Sequence, residues 1–155
     1  MCGIVGFLGS ENAYKKIING LIQLQNRGYD SAGISVIQDN NIQIKKYATV
    51  DKITALDKLA KFTFNSTIGI GHTRWATHGN ISLDNAHPHI SGQVAIVHNG
   101  IIENYQKIKD ELISRGRKFT SQTDSEVIAH LFDEELSKNI SKKNATQNVL
   151  RILEG

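Results

Sequence analysis

Cys2 is the only cysteine in the 155-residue chain, and it directly follows Met1. If an aminopeptidase removes Met1, thiol and free α-amine lie on one residue. An α-amine titrates near ~7.7–8.0, so a useful fraction is unprotonated near neutrality. It can then serve as the base for the adjacent nucleophile. A thiolate attacking an amide needs donors for the oxyanion. Asn99-Gly100 offers a side-chain amide beside a backbone N–H that glycine leaves accessible. An amino-acid substrate also needs its α-groups held. Arg74 can grip a carboxylate with two parallel hydrogen bonds, Thr77 can add a hydroxyl, and Asp124 can accept an ammonium. Each residue has a plainer alternative. Cys2 can be a small buried strand residue, Asn-Gly a hairpin turn, Arg74 a surface cation, and Asp124 a carboxylate favoured by a helix dipole.

Five of the six histidines fall between 72 and 98. Only His87 and His89 are closely spaced, with Pro88 between them, and none matches a helical His-x-x-x-His pair. Neither phosphate-binding glycine signature occurs. The expectation from these patterns is no catalytic metal and no phosphate-binding glycine loop.

These residues must be positioned by the elements around them. Ile4, Val5 and Phe7 with nearby glycines predict a buried strand over 2–8. Ser10 is the expected cap of a helix over 11–26 that stops at Arg27-Gly28. Residues 32–37 and 42–48 predict a hairpin turning at Asp39-Asn40-Asn41. Asp51 is the expected cap of a short helix bearing Ile53, Leu56 and Leu59. A strand over 67–72, a polar loop over 76–92 and a strand over 93–98 follow. Asn104 opens a helix closed by Gly116. Residues 118–121 predict a short strand, and Thr123 with Glu126 a capping box. A last helix starts over Asn144 to Gln147. The fold class is α+β, with strands covered on both faces.

Composition is that of a globular protein: 39% hydrophobic, 21% charged, net charge +3. The length suits one domain, 1–155. No basic run argues for nucleic acid. No apolar stretch approaches the ~20 residues of a membrane span, and no basic segment leads into an apolar run at the N-terminus. With one cysteine, these features point to the cytosol.

The motifs Cys2-Gly3-Ile4-Val5-Gly6, Arg27 to Gly33, Gly71 to Gly79, Asn85 to His89, His98 to Tyr105 and Thr123-Asp124 together resemble the glutaminase domain of glutamine amidotransferases of the N-terminal-nucleophile type. The spelling over 72–79 and 98–105 is similar to the branch that serves a sugar phosphate. Trp75 and His87-Pro88-His89 argue against a phosphoribosyl acceptor. The resemblance implies a four-layer α/β/β/α sandwich that hydrolyses L-glutamine through a Cys2 thioester. It implies Asn99 and Gly100 as the oxyanion hole. Arg74, Thr77 and His78 would hold the substrate carboxylate, and Asp124 the ammonium. Trp75 would gate the ammonia path, and Arg27 and Gly28 would line the site. It further implies a homodimer in which ammonia reaches an isomerase domain acting on fructose 6-phosphate. In the family, more sandwich strands and the isomerase domains follow the stretch that ends here at Gly155. The alternative is a fragment that binds glutamine or a partner without turnover.

Overall fold

The computed structural model describes residues 2–24, 30–49, 54–75 and 80–155. Side-chain alternation dictates the first layer. In β2 (Ser31–Gln38), Ala32, Ile34 and Val36 point one way, while Ser31, Gly33 and Ser35 point the other. Residues 31–36 are all buried, so this strand is covered on both faces. Asp39 and Asn40, with φ of 52° and 60°, turn the chain into β3 (Asn41–Ala48). Two successive left-handed residues match the right-handed twist of the flanking strands. With β1 (Gly3–Leu8) and β4 (Ile68–Arg74) they form an antiparallel sheet of order β1-β4-β2-β3.

Two helices, α1 (Ala13–Gln23) and α2 (Ala55–Leu59), cover its apolar face. Tyr14, Ile17, Leu21 and Leu59 pack there against Ile34 and Val36, all nearly inaccessible to solvent. Burying each such aliphatic chain contributes about 1.5–3 kcal/mol. Gly69 and Gly71 let α1 approach, since a Cβ on either would strike Ile17.

The second layer holds the antiparallel pair β5 (His89–Ser91) and β6 (Val94–Ile96). Behind it lie α3 (Tyr105–Ser114), α4 (Glu126–Ser137) and α5 (Lys142–Ile152). Ile108, Leu112, Val127, Leu131 and Val149 form a second core. The layers meet closely at Gly33, where a Cβ would overlap the His87 carbonyl. Between them the rings of His72 and His87 lie 4.2 Å apart, and those of His87 and His89 4.4 Å. The order of layers is helix, sheet, sheet, helix.

Several boundaries differ from the sequence expectation, for local reasons. Asn12 caps α1 in place of Ser10: its side chain accepts from the Lys15 N–H and also donates to the Phe64 carbonyl at 2.8 Å. That helix ends at Gln23, and the expected Arg27-Gly28 stop lies outside the described residues, as do Asp51 and Ile53. Thr54 caps α2, in a reciprocal box with Asp57. β5 begins inside the expected 76–92 loop, and the 93–98 strand shortens to Val94–Ile96. Residues 118–121 form no strand. The Thr123/Glu126 box does not form, because Glu126 turns back to residues 120 and 121. Ser141 caps α5, so that helix starts at Lys142.

The three interlayer histidines are held in their neutral form. Burial lowers His72 to about 3 and His89 to about 4, and puts His87 well below its ordinary 6.5. Below pH 6.5 the unfolded chain takes up protons that the native rings refuse. Stability therefore falls as pH drops from about 6.5 toward 4, by up to ~1.4 kcal/mol per pH unit for each histidine. Urea midpoints measured at pH 7, 6 and 5 should decline in that order. His72→Asn should make the decline shallower, and an unchanged slope would contradict this account.

Candidate active site

Antiparallel pairing brings the start of β1 to the end of β4. Gly3 lies opposite Thr73, and its N–H donates to Thr73 Oγ1 at 3.2 Å. Continuing that register sets Cys2 opposite Arg74. The Cys2 thiol points at the Trp75 carbonyl, with Sγ 4.0 Å from the oxygen. From the other sheet, β6 runs out into His98-Asn99-Gly100. The start of α4 delivers Asp124 and Ser125. Cys2, Arg74, Trp75, Asn99, Gly100 and Asp124 all line one cleft of about 480 Å³. Six sequence-predicted site residues are thus brought together by four separate parts of the chain. The other four, Thr77, His78, Arg27 and Gly28, lie outside the described residues.

Arg74 is only 6% exposed. Burial lowers its pKa, while the nearby carboxylates of Asp30 and Asp124 favour its charged form. Its Nη1 donates to the Asn80 carbonyl at 3.4 Å. The same carbonyl accepts from Asn85 Nδ2 at 2.9 Å. Asn85, itself buried, also accepts from the Gln122 N–H at 2.8 Å and donates to the Gln122 side chain at 3.2 Å. One buried amide therefore ties the arginine's surroundings to the segment before Asp124.

Asp124 is already engaged on both oxygens. Oδ2 accepts from the Ile102 N–H at 2.7 Å and Oδ1 from the Ser125 hydroxyl at 3.2 Å. Asn99 and Gly100 are exposed at the cleft. His98 beneath them is half-buried, and burial lowers its pKa. No three His, Cys, Asp or Glu side chains among the described residues are arranged to hold a metal ion.

Sequence reasoning missed Ser125, Gln122 and the Ile102 N–H. Nothing in their spacing marks them, since their roles come from a loop folded against its own helix. Glu126 was legible as a conspicuous carboxylate but was assigned the wrong partners. It accepts from the N–H groups of Thr120 and Ser121 at 2.9 and 2.7 Å, and from the Ser121 hydroxyl at 2.6 Å. His130 Nε2 stands 3.6 Å away. Burial opposes its ionisation, but these donors outweigh burial and hold its pKa far below the ordinary 4.5.

The fold and this cleft define the class: an N-terminal-nucleophile type sandwich with a cysteine at the head of its first strand. A family model described as a glutamine amidotransferase domain matches residues 55–145. The chain belongs to that family. It is 46% identical over 156 residues to the glutamine–fructose-6-phosphate aminotransferase (isomerizing) of Zymomonas mobilis, covering 100% of this chain and 25% of that protein. It is 48% identical over 163 residues to the Methanococcus maripaludis protein of the same name, covering 100% and 27%. The chain thus spans about a quarter of the length of the curated relatives it matches. Among solved structures it is similar to a glutamine phosphoribosylpyrophosphate amidotransferase from B. subtilis, with a TM-score of 0.79 and 28% identity over 100% of this chain and 33% of that one. A second, titled as the allosteric regulatory enzyme of purine biosynthesis, gives 0.82 and 27% over 100% and 34%.

The Glu126 network leads to a prediction. Its native pKa is depressed, so its stabilising contribution is complete above the ordinary 4.5 and is lost as pH falls below it. Glu126→Gln should cost about 2–3 kcal/mol at pH 7, because charge-assisted bonds vanish and buried N–H groups lose an acceptor. Denaturant unfolding of both proteins at pH 7 and pH 3 checks this. The gap between them should shrink at pH 3.

Proposed function

We propose that this chain is a glutaminase that hydrolyses L-glutamine to glutamate and ammonia. The observation that carries the reading is the convergence of Cys2, Arg74, Asn99-Gly100 and Asp124 on one cleft. Removal of Met1 frees the Cys2 amine, which takes the thiol proton. The thiolate attacks the side-chain amide carbon. Asn99 Nδ2 and the Gly100 N–H stabilise the oxyanion, and the protonated amine returns its proton to the leaving nitrogen. Ammonia departs and a glutamyl thioester remains. Water, deprotonated by the same amine, then releases glutamate and restores the thiol. Arg74, with Thr77 and His78, holds the α-carboxylate, and Asp124 accepts the α-ammonium. Trp75, 43% exposed at the rim, covers the path by which ammonia leaves. Arg27 and Gly28 line the site beside the nucleophile. No step needs a metal or an organic cofactor.

In a longer protein the ammonia passes to an isomerase domain that converts fructose 6-phosphate to glucosamine 6-phosphate. The 46–48% identity to aminotransferases of that name supports this acceptor over a phosphoribosyl one, where identity is 28%. A cytoplasmic homodimer is part of the same proposal. No described helix is long and apolar enough to cross a membrane.

The test is direct. Intact mass should show loss of one methionine, and the processed chain should release glutamate and ammonia in equal amounts. Correctly processed, folded protein without turnover would refute the reading. Cys2→Ala should abolish turnover and labelling by a glutamine-like electrophile. Asn99→Ala should lower kcat by about 10²–10³ with less change in KM. Asp124→Asn should raise KM for glutamine and lower kcat as well.

A further inference from the structure

His98 and Ser125 have no part in the chemistry above, yet they connect its two ends. His98 Nδ1 lies 2.9 Å from Ser125 Oγ. Ser125, only 3% exposed, hydrogen-bonds Asp124 Oδ1 at 3.2 Å. Proton counting fixes the direction of this chain. An ionised carboxylate only accepts, so the single hydroxyl proton of Ser125 goes to Asp124. The serine oxygen must then accept from His98, which places a proton on Nδ1. In the neutral ring Nε2 is left bare, and it faces Gly100: a Cβ there would come within 2.8 Å of it. Gly100 is not among the glycines with positive φ. A side chain at this position would have to displace the His98 ring, and backbone strain plays no part.

We infer that His98 and Ser125 are positioning residues that couple the ammonium acceptor Asp124 to the oxyanion donors at Asn99-Gly100. The inference rests on the glutaminase reading and names how that site senses its substrate. The imidazole is a bracket. One edge lies on Gly100, and the other is tied through Ser125 to Asp124. An α-ammonium docking on Asp124 pulls on the hydrogen-bond chain that steadies the oxyanion loop. Selectivity for an amino acid over a simple amide then shows in kcat as well as in KM. Loss of the Ser125 hydroxyl leaves both ends present but uncoupled, and it deprives His98 of its acceptor.

The test compares glutamine with its analogue lacking the α-amine, 5-amino-5-oxopentanoic acid, in the processed chain and in Ser125→Ala. In the parent, removing the ammonium should lower kcat as well as raise KM. In Ser125→Ala, kcat for glutamine should fall about tenfold, a hydrogen bond to a charged group being lost. The kcat ratio between the two substrates should shrink by a similar factor. His98→Asn, whose amide N–H replaces the Nδ1 donor, should retain more of that ratio than His98→Ala. An unchanged kcat ratio in Ser125→Ala overturns the coupling, because a merely structural defect lowers both substrates alike. ¹⁵N shifts of the His98 ring in the unmutated chain give a second readout that needs no variant to fold. They should report a protonated Nδ1 and a bare Nε2, and the opposite tautomer overturns the inference. Absence of glutamine turnover in the parent would instead defeat the glutaminase reading, while leaving the tautomer result intact.

Discussion

The register of β1 on β4 is the constraint on which the rest depends. Strand side chains alternate with a period of two, so a slip of one residue would carry Cys2 to the opposite face. Two features oppose that slip. Val5 and Phe7 pack against the first core, so the helix-facing side of β1 is specified by burial. The Gly3 N–H is tied to the Thr73 hydroxyl, a contact available in one register only. Gly3 itself has no room for a side chain, since a Cβ would strike Thr73 and Leu24. A residue at the head of an edge strand, which would otherwise fray, is thereby held opposite a buried arginine.

A second constraint is the placing of charge in a dry interior. Arg74 and Glu126 are both buried, and each is surrounded by oriented dipoles. A buried charge is tolerable when its hydrogen-bonding capacity is filled. Glu126 achieves this by turning the 120–121 backbone toward itself, and that loop then presents Asp124 to the cleft. The interlayer histidines follow the opposite rule. They are packed as neutral rings, and His72 and His87 have ring nitrogens with no hydrogen-bond partner among the described residues. They behave as flat spacers between the sheets, with Gly33 supplying the clearance.

Much of this was legible in the sequence, for physical reasons that differ by residue. The hairpin at Asp39-Asn40 was readable because few residues accept two successive left-handed conformations. The helices α1, α3 and α4 were readable from their apolar stripes. Cys2, Arg74, Asn99, Gly100 and Asp124 stood out because their chemistry is distinctive, and the structure gathers them with Trp75 around one cleft. Caps were misread where two polar residues competed. Ser10 and Asn12 both suit a helix start, and only the Phe64 carbonyl, fifty-two residues away, favours Asn12. The Thr123/Glu126 box failed for the same reason. Local spacing cannot reveal that His89 Nε2 sits 2.9 Å from Thr123 Oγ1, or that two backbone N–H groups await the glutamate.

Asn104 has a further consequence. It makes no side-chain cap for its own helix. Its amide instead donates to the Ile152 carbonyl at 2.7 Å and accepts from the Glu154 N–H at 3.2 Å, while the Glu103 N–H donates to the Glu154 carbonyl at 2.7 Å. The chain's last described residues are therefore stitched to the loop that follows Asn99-Gly100, and Gly155 rests against Ile101, which lines the cleft. A reporter attached to the exposed side chain at position 154 would therefore sit beside the lip of this cleft. Its fluorescence would then follow what enters the cleft.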